Sequence, residues 1–185
     1  MLSKLFTVIV FILATSLVNA QDKYFTKSGK INFHSDASLE DITAGNSSAV
    51  AVLDTKAGTL QFSILIKGFE FENEEMQEHF NDHYMESDKF PKGEFKGQVL
   101  NASSINFKKS GNYPVQVKGL FTLHGVTKSI ETSGVIKVDG NALKASSTFS
   151  IQVADYNIII PRLVRDKVAK TVKIVVDATL EPLNG

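Results

Sequence analysis

The sequence lacks cysteine and tryptophan, contains only 4 prolines, and has no excess of charge of either sign. Without cysteine the chain forms no disulfide bond and offers no attachment point for a lipoprotein anchor, so burial of apolar side chains must stabilise the fold. The balance of 20 basic and 20 acidic residues argues against nucleic acid as a partner, because phosphate binding requires a basic surplus. The sequence contains enough apolar residues for such a core, with 43% hydrophobic residues and 13 phenylalanines.

The longest apolar run lies at the start of the chain and is typical of a secretory signal. Lys4 supplies a positive charge, residues 5–13 form an apolar segment, and a small-residue cleavage site ends at Ala20. The run is shorter than the roughly 20 residues that span a bilayer, so a membrane anchor is the less favoured alternative. We therefore expect a signal peptide at 1–20 and a mature domain at 21–185 that is periplasmic or secreted in a bacterium, with no stable membrane anchor.

Alternation of apolar and polar residues dominates the 165 residues that remain after removal of 20 from 185, a length that suits one domain. In the clearest case, Val115, Val117, Phe121 and Leu123 alternate with polar residues, as expected when successive side chains point to opposite faces of a strand. The same pattern predicts further strands, strong at 60–66, 126–138, 143–153 and 172–180 and weaker at 29–33, 48–53 and 95–102.

Turn-forming glycine and asparagine residues separate these strands at short intervals, at 54–58, 110–112, 124–125 and 139–141. Short connections make consecutive strands antiparallel, and about eight such strands form either a closed barrel or a two-sheet sandwich. We favour the barrel because long strands with free edges would pair with other chains, and closure removes the edges. The predicted fold is all-β, an eight-stranded antiparallel barrel.

One segment, 73–86, breaks the strand pattern and predicts a short amphipathic helix. Asn73 can cap it, acidic residues follow in its first turn, and the apolar residues Met76, Phe80 and Tyr84 recur every four residues. We expect this helix to pack across an end or a side of the barrel.

The same helix places His79 and His83 four residues apart, which is the one metal-like spacing in the sequence. Glu75 extends the same face, but the glutamate that follows the first histidine in zinc proteases is missing. Two histidines on a surface helix are more often solvated than metal-bound. We therefore predict no metal site and no cofactor, and keep this pair as the weaker alternative.

Motifs for nucleophilic catalysis are missing as well. The sequence has no cysteine and no Gly-x-Ser-x-Gly elbow, and neither His34 nor His124 has an aspartate or serine at a diagnostic spacing. We interpret His124, which precedes Gly125 in a predicted turn, as an exposed imidazole. The sequence therefore does not predict an enzyme.

Three blocks follow one another along the chain: Ser-Asp-Lys-Phe-Pro at 87–91, Leu-His-Gly-Val-Thr-Lys at 123–128 and Asp-Tyr-Asn-Ile at 155–158. In their order and spacing they resemble the YceI-like family of exported polyisoprenoid-binding proteins, over nearly the whole mature chain. The resemblance implies a lipocalin-like barrel whose apolar pore encloses an isoprenoid or a comparable amphiphile, and it leaves a homodimer open. Asn157 departs from the glycine that is frequent there, although asparagine also tolerates a left-handed turn.

Inward-facing strand residues are the predicted ligand-binding residues of such a pore. Gly97, Gly119 and Gly134 lie on or near the apolar faces and are expected to leave room, while Tyr156 and Arg162 are expected near one end. The predicted lining comprises Phe62, Ile64, Ile66, Phe95, Val117, Phe121, Leu123, Ile130, Ile136, Phe149 and Ile151, together with Tyr156 and Arg162.

These observations predict a protein that binds, stores or transports a long apolar lipid, such as a polyisoprenoid or an isoprenoid quinone. The alternative from another class is a domain with a filled core that contacts protein or glycan through its loops. An enzyme of unrecognised type is a less favoured third interpretation.

Overall fold

The computed structural model describes residues 22–183, so the predicted signal peptide lies outside the described residues. Within this range the chain forms nine strands and one short α-helix, α1 at Glu74–His79. The strands are β1 (Lys23–Asp36), β2 (Asp41–Asp54), β3 (Thr59–Leu65), β4 (Glu70–Phe71), β5 (Lys92–Val99), β6 (Gly111–Leu123), β7 (Val126–Asp139), β8 (Ala142–Gln152) and β9 (Thr171–Pro182).

Eight of the strands close into an antiparallel barrel, which confirms the predicted fold. Their order around the barrel is β1-β9-β8-β7-β6-β5-β3-β2, and β2 pairs back with β1. The remaining strand, β4, adds two residues to β2 opposite Ala44 and Gly45. Closure between β1 and β2 rules out the sandwich alternative, because a sandwich would leave two separate sheets.

The strands that the sequence indicated most weakly are among the longest in the barrel. β1 and β2 each span 14 residues, where alternation had indicated only 29–33 and 48–53. Their pairing shifts register on either side of Gly29, which marks β-bulges. An extra residue in a strand reverses the facing of all later side chains, so the alternation is interrupted although the strand continues.

The predicted helix is split into two parts. Asn73 caps α1 as expected, since its side-chain oxygen accepts hydrogen bonds from the backbone N–H of Glu75 at 2.8 Å and of Met76 at 3.3 Å. After His79 the chain widens into a π-helical turn at Phe80–Tyr84, in place of an α-helix that continues to residue 86.

The barrel interior is filled at one end and hollow at the other. At the end where the β2–β3, β5–β6 and β7–β8 connections lie, Leu53, Val138, Leu143 and Leu180 are no more than 2% exposed and pack against one another. We call this region the packed base. The opposite end, which we call the mouth, carries the connections 37–40, 66–91, 124–125 and 153–170.

Phe95 is one of the side chains that lie between these two halves, together with Leu60, Phe62 and Val117. Gly97 and Gly119 pair across β5 and β6, and a Cβ atom on Gly119 would lie 2.5 Å from the Cα atom of Gly97 and 2.6 Å from the Cζ atom of Phe95. The sequence predicted that these glycines leave open space. The space exists, but the phenyl ring of Phe95 occupies it, because neither glycine has a side chain to exclude the ring.

Candidate ligand-binding cavity

The hollow half of the barrel contains a cavity of about 500 Å³ that opens at the mouth. This volume lies within the roughly 300–1,000 Å³ that is typical of small-molecule sites. Each of the eight barrel strands contributes side chains to the wall, and most of those side chains are aliphatic or aromatic. The cavity is therefore a property of the barrel interior and not a surface groove between loops.

Ten of the thirteen residues that the sequence singled out stand in the wall of this cavity. They come from β3, β5, β6, β7 and β8, or directly follow β3. Within a strand they occupy every second position on the inner face, because successive side chains point to opposite faces of a strand. These ten residues are Phe62, Ile64, Ile66, Phe95, Val117, Phe121, Leu123, Ile130, Phe149 and Ile151.

Ile136, Tyr156 and Arg162 lie outside the cavity wall. Ile136 faces inward, but it is six residues further along β7 than Ile130, or about 20 Å at 3.3 Å per residue, and is buried in the packed base. Tyr156 lies behind the wall, where its ring meets that of Phe121 at 5.5 Å between centroids. Arg162 is exposed to solvent in the connection between β8 and β9.

A cluster of aromatic rings on the helix side of the cavity was not predicted. Phe80, in the π-helical turn, stacks on Phe33 with ring centroids 5.5 Å apart and contacts Phe71 at 5.0 Å. Tyr84 lies in the wall nearby, and burial raises the pKa of its phenol, which keeps the group neutral in the cavity. The four-residue spacing of Phe80 and Tyr84 was the available signal, and it indicated an inward helix face without indicating what that face contacts.

The connection 153–170, which we call the roof loop, covers part of the mouth. Its apolar residues Ile160, Val164 and Val168 face the cavity. Three hydrogen bonds hold the loop to the β1 side of the barrel. The backbone N–H of Ala169 donates to Ser35 Oγ at 2.9 Å, and the carbonyl of Asp166 accepts from the backbone N–H of Leu39 at 2.9 Å and from Ser38 Oγ at 3.4 Å.

Charged and ionisable side chains line the outer part of the cavity. Glu40 and Lys167 line it on the roof side, with 3.9 Å between the carboxylate oxygen and the ammonium nitrogen. Glu75 and His79 line it on the helix side. A ligand in this cavity would therefore meet charged groups at the opening and mostly apolar atoms at depth, together with the hydroxyl groups of Thr132 and Ser147, which lie 3.3 Å apart.

His79 and His83, the predicted weaker metal pair, have ring centroids 5.5 Å apart. Among residues 22–183, no three side chains of the types His, Cys, Asp or Glu are placed to share one metal ion. No helix in this part of the chain is both long enough and apolar enough to span a bilayer.

His124 is buried, which corrects its interpretation as an exposed imidazole. It is only 8% exposed, its Nδ1 lies 3.0 Å from the carbonyl oxygen of Tyr156, and its Nε2 lies 3.0 Å from Glu86 Oε2. The ring also meets the edge of Phe90 at 4.5 Å between centroids. His124 thus joins the β6–β7 turn to the helix-side connection and to the start of the roof loop.

A family model described as the YceI-like domain matches residues 14–180, which is most of the chain. The chain belongs to the YceI-like family. The match begins inside the segment predicted to be the signal peptide and ends in β9. No curated protein matches the chain.

Solved structures share the fold of this YceI-like protein at low sequence identity. A polyisoprenoid binding domain from Saccharophagus degradans is 17% identical, with a TM-score of 0.76 over 88% of this chain and 99% of that one. BcnA from Burkholderia cenocepacia is 14% identical, with a TM-score of 0.67 over 82% and 95%. A mutant of the Campylobacter jejuni YceI protein is 15% identical, with a TM-score of 0.55 over the full length of both chains.

The three blocks that carry the YceI-like resemblance meet around His124. Phe90 comes from the first block, His124 from the second and Tyr156 from the third. Asn157, next to Tyr156, has φ 58° and ψ 22°, so it adopts the left-handed conformation that asparagine tolerates. The blocks therefore join the segments that frame the mouth and leave most of the cavity wall to other residues.

Proposed function

We propose that this YceI-like protein binds, stores or transports a long apolar lipid, held in the barrel cavity. One observation carries the proposal: the mouth half of the barrel is hollow and is walled mostly by apolar side chains, contributed by all eight barrel strands. A filled core, as the rival interaction domain requires, would have closed this space. No cofactor and no catalytic step are needed for such a role.

The geometry favours a ligand that enters tail first. Burial of one methylene contributes about 0.8 kcal/mol, so one five-carbon isoprene unit contributes about 4 kcal/mol before the cost of ordering it. A few such units would approach the affinity ceiling of about 20 kcal/mol, so burial alone cannot select the ligand. Selection therefore depends on the depth of the cavity above Phe95 and on the charged groups at the mouth.

The polyisoprenoid class is the favoured ligand. The neighbour from Saccharophagus degradans is a polyisoprenoid binding domain, and its likeness supports this choice. An isoprenoid quinone has the same tail with a polar ring that could lie near Glu75 and His79 at the mouth. We also propose that the protein acts after export to the periplasm or beyond, with the signal peptide removed near Ala20, which amino-terminal sequencing of the exported protein would check.

The test compares inward and outward aspartates at neighbouring positions. Phe121→Asp and Ile64→Asp place a carboxylate in the cavity wall, whereas Leu120→Asp and Leu65→Asp place one on the outer surface, where these leucines are 55% and 54% exposed. Each protein is purified natively and extracted with organic solvent, and the extract is analysed by mass spectrometry. We expect wild type and both outward variants to yield lipid in proportion to protein, and both inward variants to yield little or none.

Two results would contradict the proposal. One is unchanged lipid retention in both inward variants, which would mean that the lipid is not in this cavity. The other is a lipid-free extract from folded wild-type protein, which would favour the interaction domain. If an inward aspartate prevents folding, as judged by circular dichroism, Ile130→Trp provides an uncharged variant that narrows the cavity and should lower retention.

A further inference from the structure

The roof loop has two apolar faces, and only one of them faces the cavity. While Val164 and Val168 point inward, Ile159 is 80% exposed and Leu163 is 97% exposed. Leu39, in the adjacent β1–β2 connection that is hydrogen-bonded to the roof loop, is 71% exposed. Single exposed leucines are ordinary, but here three large apolar side chains lie at the mouth on two joined loops.

Basic side chains flank the exposed apolar residues of the roof loop, whereas Leu39 is followed by Glu40 and Asp41. Arg162, Arg165, Lys167 and Lys170 are all exposed, and Asp166 is the one acidic residue between positions 159 and 170. Lys167 is the only one of the four with an acidic partner within 4.0 Å in the described residues, and that contact, to Glu40, is 3.9 Å long. The outer face of the roof loop therefore combines unneutralised positive charge with apolar tips.

The opposite side of the mouth carries the opposite charge. The helix-side connection leaves the barrel between β3 and β5, which lie across the barrel from β8 and β9 in the strand order. Its exposed glutamates are Glu70, Glu72, Glu74, Glu75, Glu78 and Glu86. The roof loop thus has a net charge of +2, from four basic residues less Asp155 and Asp166, whereas the helix-side connection is acidic, although the chain as a whole has no net charge.

We propose that the outer face of the roof loop docks on a lipid bilayer that contains anionic lipid. Segments that combine basic residues with exposed large apolar side chains bind at the headgroup level, because cations attract anionic headgroups and the apolar tips enter the acyl boundary. The acidic helix side would be repelled, so the barrel tilts with the roof loop toward the bilayer and the mouth beside it. The purpose of this docking, lipid exchange, rests on the proposed function, whereas the docking itself does not.

Vesicle sedimentation tests the docking. The full protein is mixed with vesicles of phosphatidylcholine alone or of equal parts phosphatidylcholine and phosphatidylglycerol. We expect binding only to the second kind, weakening as salt is raised, because salt screens exposed charges. The double variant Arg162→Glu with Arg165→Glu should lose at least about tenfold in apparent affinity. Its matched control, Lys108→Glu with Lys109→Glu, makes the same charge change at the opposite end of the barrel and should bind as wild type does.

A second pair of variants separates the apolar contribution from the charge. Leu163→Ser should weaken binding to the anionic vesicles several-fold, whereas Leu100→Ser, at a leucine 53% exposed near the packed base, should not. Equal effects of the roof-loop and base variants would overturn the proposal, as would failure of the wild type to bind anionic vesicles or capture of the roof loop by a soluble protein partner instead.

Solvent extraction of the same preparations keeps the two proposals apart. Arg162→Glu with Arg165→Glu should keep its bound lipid while losing vesicle binding, because neither side chain lines the cavity. Wild-type protein that binds anionic vesicles but yields no lipid would contradict the proposed function and leave the docking standing.

Discussion

Replacement of Phe95 by alanine should lengthen the lipid that the protein retains. The ring of Phe95 lines the cavity, packs against the core of the packed base and lies over Gly97 and Gly119, which have no side chains of their own. Phe95→Ala extends the cavity toward the base by the volume of one phenyl ring. An isoprene unit has about as many carbons as that ring, so we expect the retained chains to be about one unit longer.

The expected change in the free energy of unfolding follows from replacing the phenyl ring by an isoprene unit. Phe→Ala changes in cores cost about 3–5 kcal/mol, and because Phe95 is only half-buried at a cavity wall, we expect about 3 kcal/mol in the empty protein. Burial of one additional isoprene unit in the new space contributes about 4 kcal/mol of stabilising free energy, less the cost of ordering it. Protein loaded with the longer lipid should therefore unfold close to the wild-type midpoint, whereas delipidated protein should not.

Mass spectrometry of solvent extracts gives the chain-length distribution, and denaturant titration gives the stability. Phe107→Ala is the control: Phe107 packs against the core cluster of the base and is outside the cavity wall, so its loss should lower stability without changing the lipid. An unchanged length distribution in folded, lipid-bound Phe95→Ala would refute the idea that this ring sets the depth of the site.

Three further predictions concern residues that lie beside the cavity and stabilise the barrel around it. Gly119→Ala should lower stability by about 1–3 kcal/mol through overpacking, seen as a lower denaturant midpoint, whereas Gly111→Ala, with no contact closer than 3.6 Å, should not. His124→Leu should cost about 1–3 kcal/mol because it removes both hydrogen bonds of the ring, and a double-mutant cycle with Glu86→Gln should show coupling. Burial raises the pKa of the Tyr156 phenol, and the charge of Asp155 adds to this. The folded state then holds that proton more tightly than the unfolded chain, so stability should fall as the pH rises from about 10, and Tyr156→Phe should reduce this slope in pH-dependent melting curves.

The fold could be predicted because strand alternation is a local property of the sequence. β6 and β7 pair without a register shift across all 13 residues of β6, and their alternation was the clearest in the chain. β1 failed the same criterion because bulges around Gly29 reverse its facing part-way along. Closure into a barrel followed from a physical argument about free edges, not from any single motif.

The site could be predicted only in part, because alternation indicates which face a side chain takes but not its depth in the barrel. Ile130 and Ile136 are equally inward on β7, yet one lines the cavity and the other fills the base. What separates them is how far along the barrel the packed base extends, which depends on contacts between strands, such as that of the Phe95 ring with Gly97 and Gly119, that no local pattern encodes. The helical spacing of Phe80 indicated an inward face but not that this face lines the cavity, and Val164 was missed because the irregular connection that carries it has no periodic pattern.

The division of the barrel into a solid half and an empty half has a consequence for its use. The leucines and valines at the base contact one another whether or not anything occupies the space above them, so the folding free energy that they supply does not depend on cargo. If the cavity holds lipid as proposed, we therefore expect the protein to stay folded after the lipid is removed and to be able to take up another.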